Sequence, residues 1–332
     1  MRLITNLLRW SMRRGFIESE FMHNLESAFL KVTESAAIAC YDWIGKNDRH
    51  AADDAATEAM RKAFNNIDFN GTVVIGEGER DKAPMLYIGE KLGTGKGQAI
   101  DIAVDPLDGT NLAATAARGA VCVLAAGPEK SLLHAPDMYM EKIAVGPKIG
   151  NVVSLSKSVE ENLDAISKKT GKSISQITVV VLDRPRHQDI ISRVNAKGAK
   201  IKLIKEGDVF GAIITAFDQC NVDMLLGVGA APEGVLAATA LKIVGGYFEG
   251  RLKQKNDEEL ERARKMGITN INKIYKIDEL VNSNDLIFVA TAVTDGDLLK
   301  GIKKDGSTLI THSLIMNIKD KNVRFVENKY KL

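Results

Sequence analysis

The sequence predicts an α/β protein, α+β in its first half and built of β-α-β units in its second. Three observations carry that expectation. Apolar residues recur at helical spacing before the first strand-like runs. From about Ile177 short apolar runs alternate with helical segments. The 332 residues are 45% hydrophobic and 27% charged, the balance of a globular chain long enough for about two domains.

Taken in order, the apolar spacing predicts a helix over Leu25–Trp43, a charged break at Lys46–Arg49 and a second helix over Ala55–Phe64. Strands follow at Thr72–Ile75, ending in Gly76; at Ala99–Val104, ending at Asp105-Pro106; at Gly119–Ala126; and at Lys142–Val145. The polar segment Ser154–Ser175 reads as a boundary, which divides the chain into 22–176 and 177–332. Beyond it come strand Ile177–Leu182 with helix Gln188–Ala196, strand Lys200–Ile204 with helix Val209–Ala216, and strand Val222–Leu226 with helix Glu233–Ile243. That alternation predicts a mainly parallel sheet. Asp285–Val293, Thr308–Ile315 and Val323–Val326 read as closing strands.

Composition excludes several classes of function. There are 45 Lys and Arg against 43 Asp and Glu, a net charge of +2. So small an excess argues against a chain that coats nucleic acid or an anionic membrane. No apolar run reaches the length of a membrane span. Three cysteines, Cys40, Cys122 and Cys220, form no CxxC pair and fit a reducing, cytoplasmic compartment. With five scattered histidines, a metal here would be held by carboxylates rather than by a zinc-type His/Cys set. Residues 1–21 carry Arg2, Arg9, Arg13 and Arg14 against Glu18 and Glu20, so the rest of the chain is neutral.

Two segments carry chemistry. GEGERD at 76–81 directly follows a strand, and DIAVDPLDGT at 101–110 contains another strand's end. Both put carboxylates at the C-terminal ends of strands, where open sheets bind ligands. Acids so gathered repel one another unless a cation lies between them, and oxygen donors suit Mg2+ or Mn2+. The alternative is a pair of turns, since Asp-Pro and Asp-Gly are turn dipeptides. GTGKG at 93–97 lacks the spacing of a phosphate loop, and no Gly-x-Ser-x-Gly elbow occurs.

DPLDGT at 105–110 matches the signature of the metal-dependent, lithium-sensitive sugar and inositol phosphatases. VIGEGE at 74–79, APMLYIGE at 83–90, APDMYMEK at 135–142 and APEG at 231–234 narrow the match. Together they resemble class II fructose-1,6-bisphosphatase, the bacterial glycerol-regulon type, from about Met22 to the C-terminus. The basic piece 1–21 stands outside the resemblance. The layered fructose-bisphosphatase and inositol-monophosphatase fold is what the resemblance implies.

The resemblance also implies a site. Asp53 and Glu77 would hold one divalent ion, and Asp105, Asp108 and Glu233 a second, with Mn2+ or Mg2+ present as two or more ions. Asp108 stands where the family commonly has Glu. Thr110 and Asp81 would hold and deprotonate the attacking water, and Arg49 stands where the family usually has Lys. Substrate contacts fall to Asp108, Gly109, Thr110 and Tyr139, to the basic segment Arg184, Pro185 and Arg186, to Glu206, Gly207 and Asp208, and to Ala230 in place of the usual Gly. Arginine forks suit phosphate oxygens. For Asp53 the alternative is an acid at a helix N-terminus, and for Thr110 an N-cap of helix Asn111–Ala117.

The implied activity is hydrolysis of the 1-phosphate of fructose 1,6-bisphosphate, by a homo-oligomer, a dimer or a tetramer. Sedoheptulose 1,7-bisphosphate and inositol phosphate are rival substrates. A silent sugar-phosphate-binding regulator is the non-enzyme alternative, which an intact set of acids and Thr110 opposes.

Overall fold

The computed structural model describes residues 24–77, 85–320 and 322–331. The piece 1–21 and Asp81 lie outside them. Strands β1 (Asn70–Ile75), β2 (Lys91–Leu92), β3 (Ala99–Asp108), β4 (Val121–Pro128), β11 (Ile287–Ala292), β12 (Lys303–Asp305), β13 (Thr308–Asn317) and β14 (Asn322–Lys331) make one sheet. Its order is β12-β13-β11-β4-β3-β1-β2, with β14 also on β13. Strands β5 (Tyr139–Val145), β6 (Thr178–Leu182), β7 (Lys200–Ile204), β8 (Met224–Ala230), β9 (Tyr247–Lys253) and β10 (Ile274–Lys276) make the other, in order β10-β9-β5-β8-β6-β7.

The α/β class is therefore observed, in layers that the buried side chains reveal. Along β4, Val121, Val123 and Ala125 face one core, and Cys122, Leu124 and Ala126 face another. Along β5, Met140 and Ala144 face the core shared with β4, and Ile143 and Val145 face a third. Strands buried on both faces read as continuous apolar runs, which is why they were legible as strands. Helices α1 (residues 24–40) and α2 (Arg49–Phe64) cover the outer face of the eight-stranded sheet. Helices α4 (Val159–Thr170) and α5 (Gln188–Lys197) cover the outer face of the six-stranded one. Between the sheets lie α6 (Asp208–Ile213) and α7 (Ala231–Ile243). Helix α7 packs against strands of both sheets, so it is apolar all round rather than amphipathic.

Several expectations need correction. The six-stranded sheet is mixed: β6 runs parallel to β7 and β8, while β5 pairs antiparallel with β8 and β9, and β9 with β10. Sheet membership does not follow a division at 176/177. Strand β5 precedes that point yet joins the second sheet, and β11–β14 return to the first. The segment 154–175 is mostly helix, because Ser158 and Glu161 form a reciprocal capping box and Val159, Leu163 and Ile166 pack into the third core. Helix α2 starts six residues before the predicted Ala55, at Arg49, because Asp48 accepts the Ala51 N–H at 3.0 Å and caps it. Among the described residues no helix is long and apolar enough to cross a membrane.

Candidate active site

Strand β3 does not stop at Asp105-Pro106. It runs on to Asp108 through an irregularity: Asp105 lies opposite Val123 and Asp108 opposite Val121, so three steps on β3 match two on β4. Pro106 donates no N–H to the ladder, and the Leu107 N–H turns to Asp105 Oδ1 at 3.1 Å. Positions three apart on a regular strand face opposite ways. The extra residue returns Asp108 to the side of Asp105, and both line one cleft. Gly109 then takes a left-handed φ of 89° and starts the short helix α3 (Thr110–Ala114). Since Gly109 is the cap residue, the Thr110 hydroxyl is not spent on capping.

The cleft measures about 420 Å³. It is lined by Asp53, Glu77, Asp105, Asp108, Gly109, Thr110, Tyr139, Arg184, Arg186, Glu206, Gly207, Asp208, Ala230 and Glu233, all singled out from the sequence. Asp53 sits in the second turn of α2, past the capping position that Asp48 fills. Glu77 follows β1, its N–H bonded to the Leu86 carbonyl at 3.0 Å. Glu206 follows β7, and Glu233 lies in the first turn of α7. Arg49 is elsewhere. As the first residue of α2 it is exposed, donates to His50 Nε2 at 3.3 Å and does not line the cleft. Pro185 does not line it either, but opens the 3-10 turn Pro185–His187 that carries Arg186.

Burial and mutual repulsion dominate the electrostatics of the acids. Burial first, then the charges of Asp108, Glu77, Glu233 and Asp53, push the Asp105 carboxyl well above the usual carboxylate range. Burial does the same to Asp108, helped by Asp208 and Glu233 and opposed by Lys142. Burial also raises Glu233, again opposed by Lys142. Asp108 Oδ2 and Glu233 Oε2 are buried with no hydrogen-bond partner. Arg186 donates from Nε and Nη2 to the Val228 carbonyl at 3.1 and 2.8 Å, and its guanidinium lies 4.8 Å from the centre of the Tyr139 ring. Among the described residues no three acids are yet gathered as a closed cation shell. Even so, two orphaned carboxylate oxygens and an all-oxygen donor set fit a hard divalent cation.

Sequence reasoning passed over Asp137 and Lys142. Asp137 lines the cleft and adds to the charge felt by Glu233. Lys142, on β5, is 2% exposed and places Nζ 2.7 Å from Asp208 Oδ2. The signal was present, since Lys142 opens the apolar run 142–145 and a lysine is buried only when paired. Gly229 makes room for that pair: a Cβ there would lie 2.0 Å from Asp208 Oδ2.

Comparison with known proteins adds to this geometry. The family described as bacterial fructose-1,6-bisphosphatase, glpX-encoded, matches residues 23–330. A class 2 fructose-1,6-bisphosphatase of Haemophilus influenzae is 42% identical over 313 residues, 90% of this chain and 94% of the relative. Fructose-1,6-bisphosphatase 1 class 2 of Escherichia coli is 41% identical over 313 residues, with 90% and 93% covered. A Prochlorococcus marinus protein named D-fructose 1,6-bisphosphatase class 2/sedoheptulose 1,7-bisphosphatase is 42% identical over 309 residues, with 89% and 92% covered.

Proposed function

The chain belongs to the family of bacterial, glpX-encoded fructose-1,6-bisphosphatases, and from that premise we propose that its cleft hydrolyses the 1-phosphate of fructose 1,6-bisphosphate to fructose 6-phosphate. The observation that carries the reading is one cleft lined both by a cluster of carboxylates and by two arginines. Among the described residues, eight acidic side chains line it against two basic ones, Arg184 and Arg186. Unaided, such a surface repels a sugar bisphosphate, so the reading requires cations with the substrate.

In this reading Asp53, Glu77, Asp105, Asp108 and Glu233 hold two or more Mn2+ or Mg2+ ions. Bound there, the ions supply positive charge to the phosphoryl oxygens and the leaving alkoxide and acidify water. The protein's own residues do the rest. Thr110, its hydroxyl free of capping, holds the attacking water in line with phosphorus, and Asp81 accepts the proton. Arg184 and Arg186 take the second phosphate as planar forks. Arg186 is aimed by its two bonds to Val228 and by the Tyr139 ring. Glu206 and Asp208 accept hydrogen bonds from the sugar hydroxyls, with Asp208 held in place by Lys142. The family also suggests a cytoplasmic dimer or tetramer, and Cys40 and Cys122 are free, buried thiols as a reducing compartment allows.

The test is phosphate release from fructose 1,6-bisphosphate, sedoheptulose 1,7-bisphosphate and inositol phosphate with Mn2+ or Mg2+, beside the Asp105→Asn variant. The first substrate should turn over and the variant should not. No turnover of any of the three would sink the enzyme reading, and an unimpaired variant would sink the site. Sedoheptulose 1,7-bisphosphate belongs in the assay because the Prochlorococcus relative is named for both activities.

A further inference from the structure

We infer that Asn111 is a positioning residue that fixes the Glu206 carboxylate relative to Thr110, and so sets the spacing between the sugar end and the reacting phosphate. The inference rests on the reading of the cleft given above. Asn111 directs two donors at one carboxylate: its backbone N–H reaches Glu206 Oε2 at 3.2 Å, and its side-chain amide donates to Oε1. Each oxygen receives one bond. A carboxylate has about four acceptor sites, so about two remain for sugar hydroxyls.

The two residues stand 95 positions apart and come from different sheets. Asn111 is the second residue of α3, after β3 of the eight-stranded sheet. Glu206 follows β7, the edge strand of the six-stranded one. A left-handed glycine stands near each: Gly109, at φ 89°, two residues before Asn111, and Gly207, at φ 84°, directly after Glu206. Asn111 is itself held, since the Thr115 hydroxyl donates to its carbonyl at 2.7 Å. An unrestrained glutamate side chain has several rotamers. The paired bonds select one, and they do so from the residue next to Thr110. The clasp thus ties the candidate water-holding hydroxyl to the candidate sugar-binding carboxylate across the junction of the sheets.

The test is steady-state hydrolysis of fructose 1,6-bisphosphate with Mn2+ by the full chain and its Asn111→Ala and Asn111→Asp variants, with thermal midpoints recorded. Removing one hydrogen bond to a charged acceptor corresponds to a factor of about ten. Asn111→Ala should therefore raise KM about tenfold while kcat changes less than threefold. Asn111→Asp sets a like charge against Glu206 and should raise KM further. Adding Glu206→Gln to Asn111→Asp should recover part of that second increment, because an amide again faces a carboxylate. A merely structural contact would lower the thermal midpoint and leave KM alone. That result, an equal fall in kcat, or Asn111→Asp no worse than Asn111→Ala would overturn the inference. If the unaltered protein does not hydrolyse the bisphosphate, the reading of the cleft fails first, an outcome distinct from any of these.

Discussion

Replacing Lys142 by methionine keeps most of the side chain's volume and removes one buried charge. The ammonium lies 2.7 Å from Asp208 Oδ2, with the two side chains 2% and 9% exposed. Its field also holds down the raised pKa values of Asp108 and Glu233. Breaking a buried pair from one side costs about 3–5 kcal/mol, because the other charge is left without compensation. At about 2.1 cal/mol/K per residue, 332 residues unfold with an entropy of about 0.7 kcal/mol/K, so the midpoint should fall by about 4–7 °C. Scanning calorimetry with a chelator present at pH 7.5 measures it. Lys142→Met combined with Asp208→Asn removes both charges and should recover at least half of the loss. A single variant within about 1 °C of the parent would refute the reasoning, since the buried pair would then contribute nothing. So would a double variant less stable than the single one, because the cost would then lie in lost packing.

Three further outcomes follow from the same acids. Asp105→Asn removes one of several mutually repelling carboxylates; the cation-free protein should melt slightly higher, while turnover with Mn2+ falls more than about 100-fold, as calorimetry and phosphate release would record. In cation-free protein the carboxyls of Asp105 and Asp108 are raised in the fold. Their contribution to stability is complete below the ordinary carboxylate range of about 4 and is lost as pH rises through the raised values; melting at pH 5 and pH 8 should show this slope, smaller in Asp105→Asn and smaller again with Mn2+. Gly229→Ala drives a methyl group to within 2.0 Å of Asp208 Oδ2 and 3.0 Å of Lys142 Nζ, and should cost about 1–3 kcal/mol in denaturant titration together with a rise in KM.

What the sequence revealed and what it concealed divide along physical lines. The acids of 76–81 and 101–110 were legible because glycines and strand-ending signals surround them. The extra residue that aims Asp105 and Asp108 the same way was not, because it is a property of pairing with β4, where Asp105 meets Val123 and Asp108 meets Val121. Helix α7 was read from its apolar run and the role of Glu233 from the resemblance, yet nothing local says that both sheets enclose that helix. Strand β9 and the helix Asp257–Lys265 were missed: β9 mixes Glu249, Gly250 and Arg251 with apolar residues, and the helix has few buried positions. Arg49 was carried over by resemblance alone, and it is an exposed residue that does not line the cleft.

The near-zero net charge conceals a local concentration of acids. In both sheets the parallel strands direct their C-terminal ends at one junction, where ligands of open sheets are bound. The eight-stranded sheet delivers Glu77 from β1 and Asp105 and Asp108 from β3. The six-stranded sheet delivers Arg184 after β6 and Glu206 after β7, and α7 brings Glu233 to the acid cluster after β8. Neither sheet alone holds the candidate cation ligands, because Asp53, Glu77, Asp105 and Asp108 belong to one side and Glu233 to the other. Burial makes each of these charges costly, and the cost falls when an opposite charge is fixed nearby. Lys142 is such a charge within the chain, and it stands where Asp108, Asp208 and Glu233 converge. One ammonium cannot neutralise three carboxylates. The remaining negative charge is the quantity a divalent cation would offset, and any ion that did so would also draw the two sheets together at the cleft.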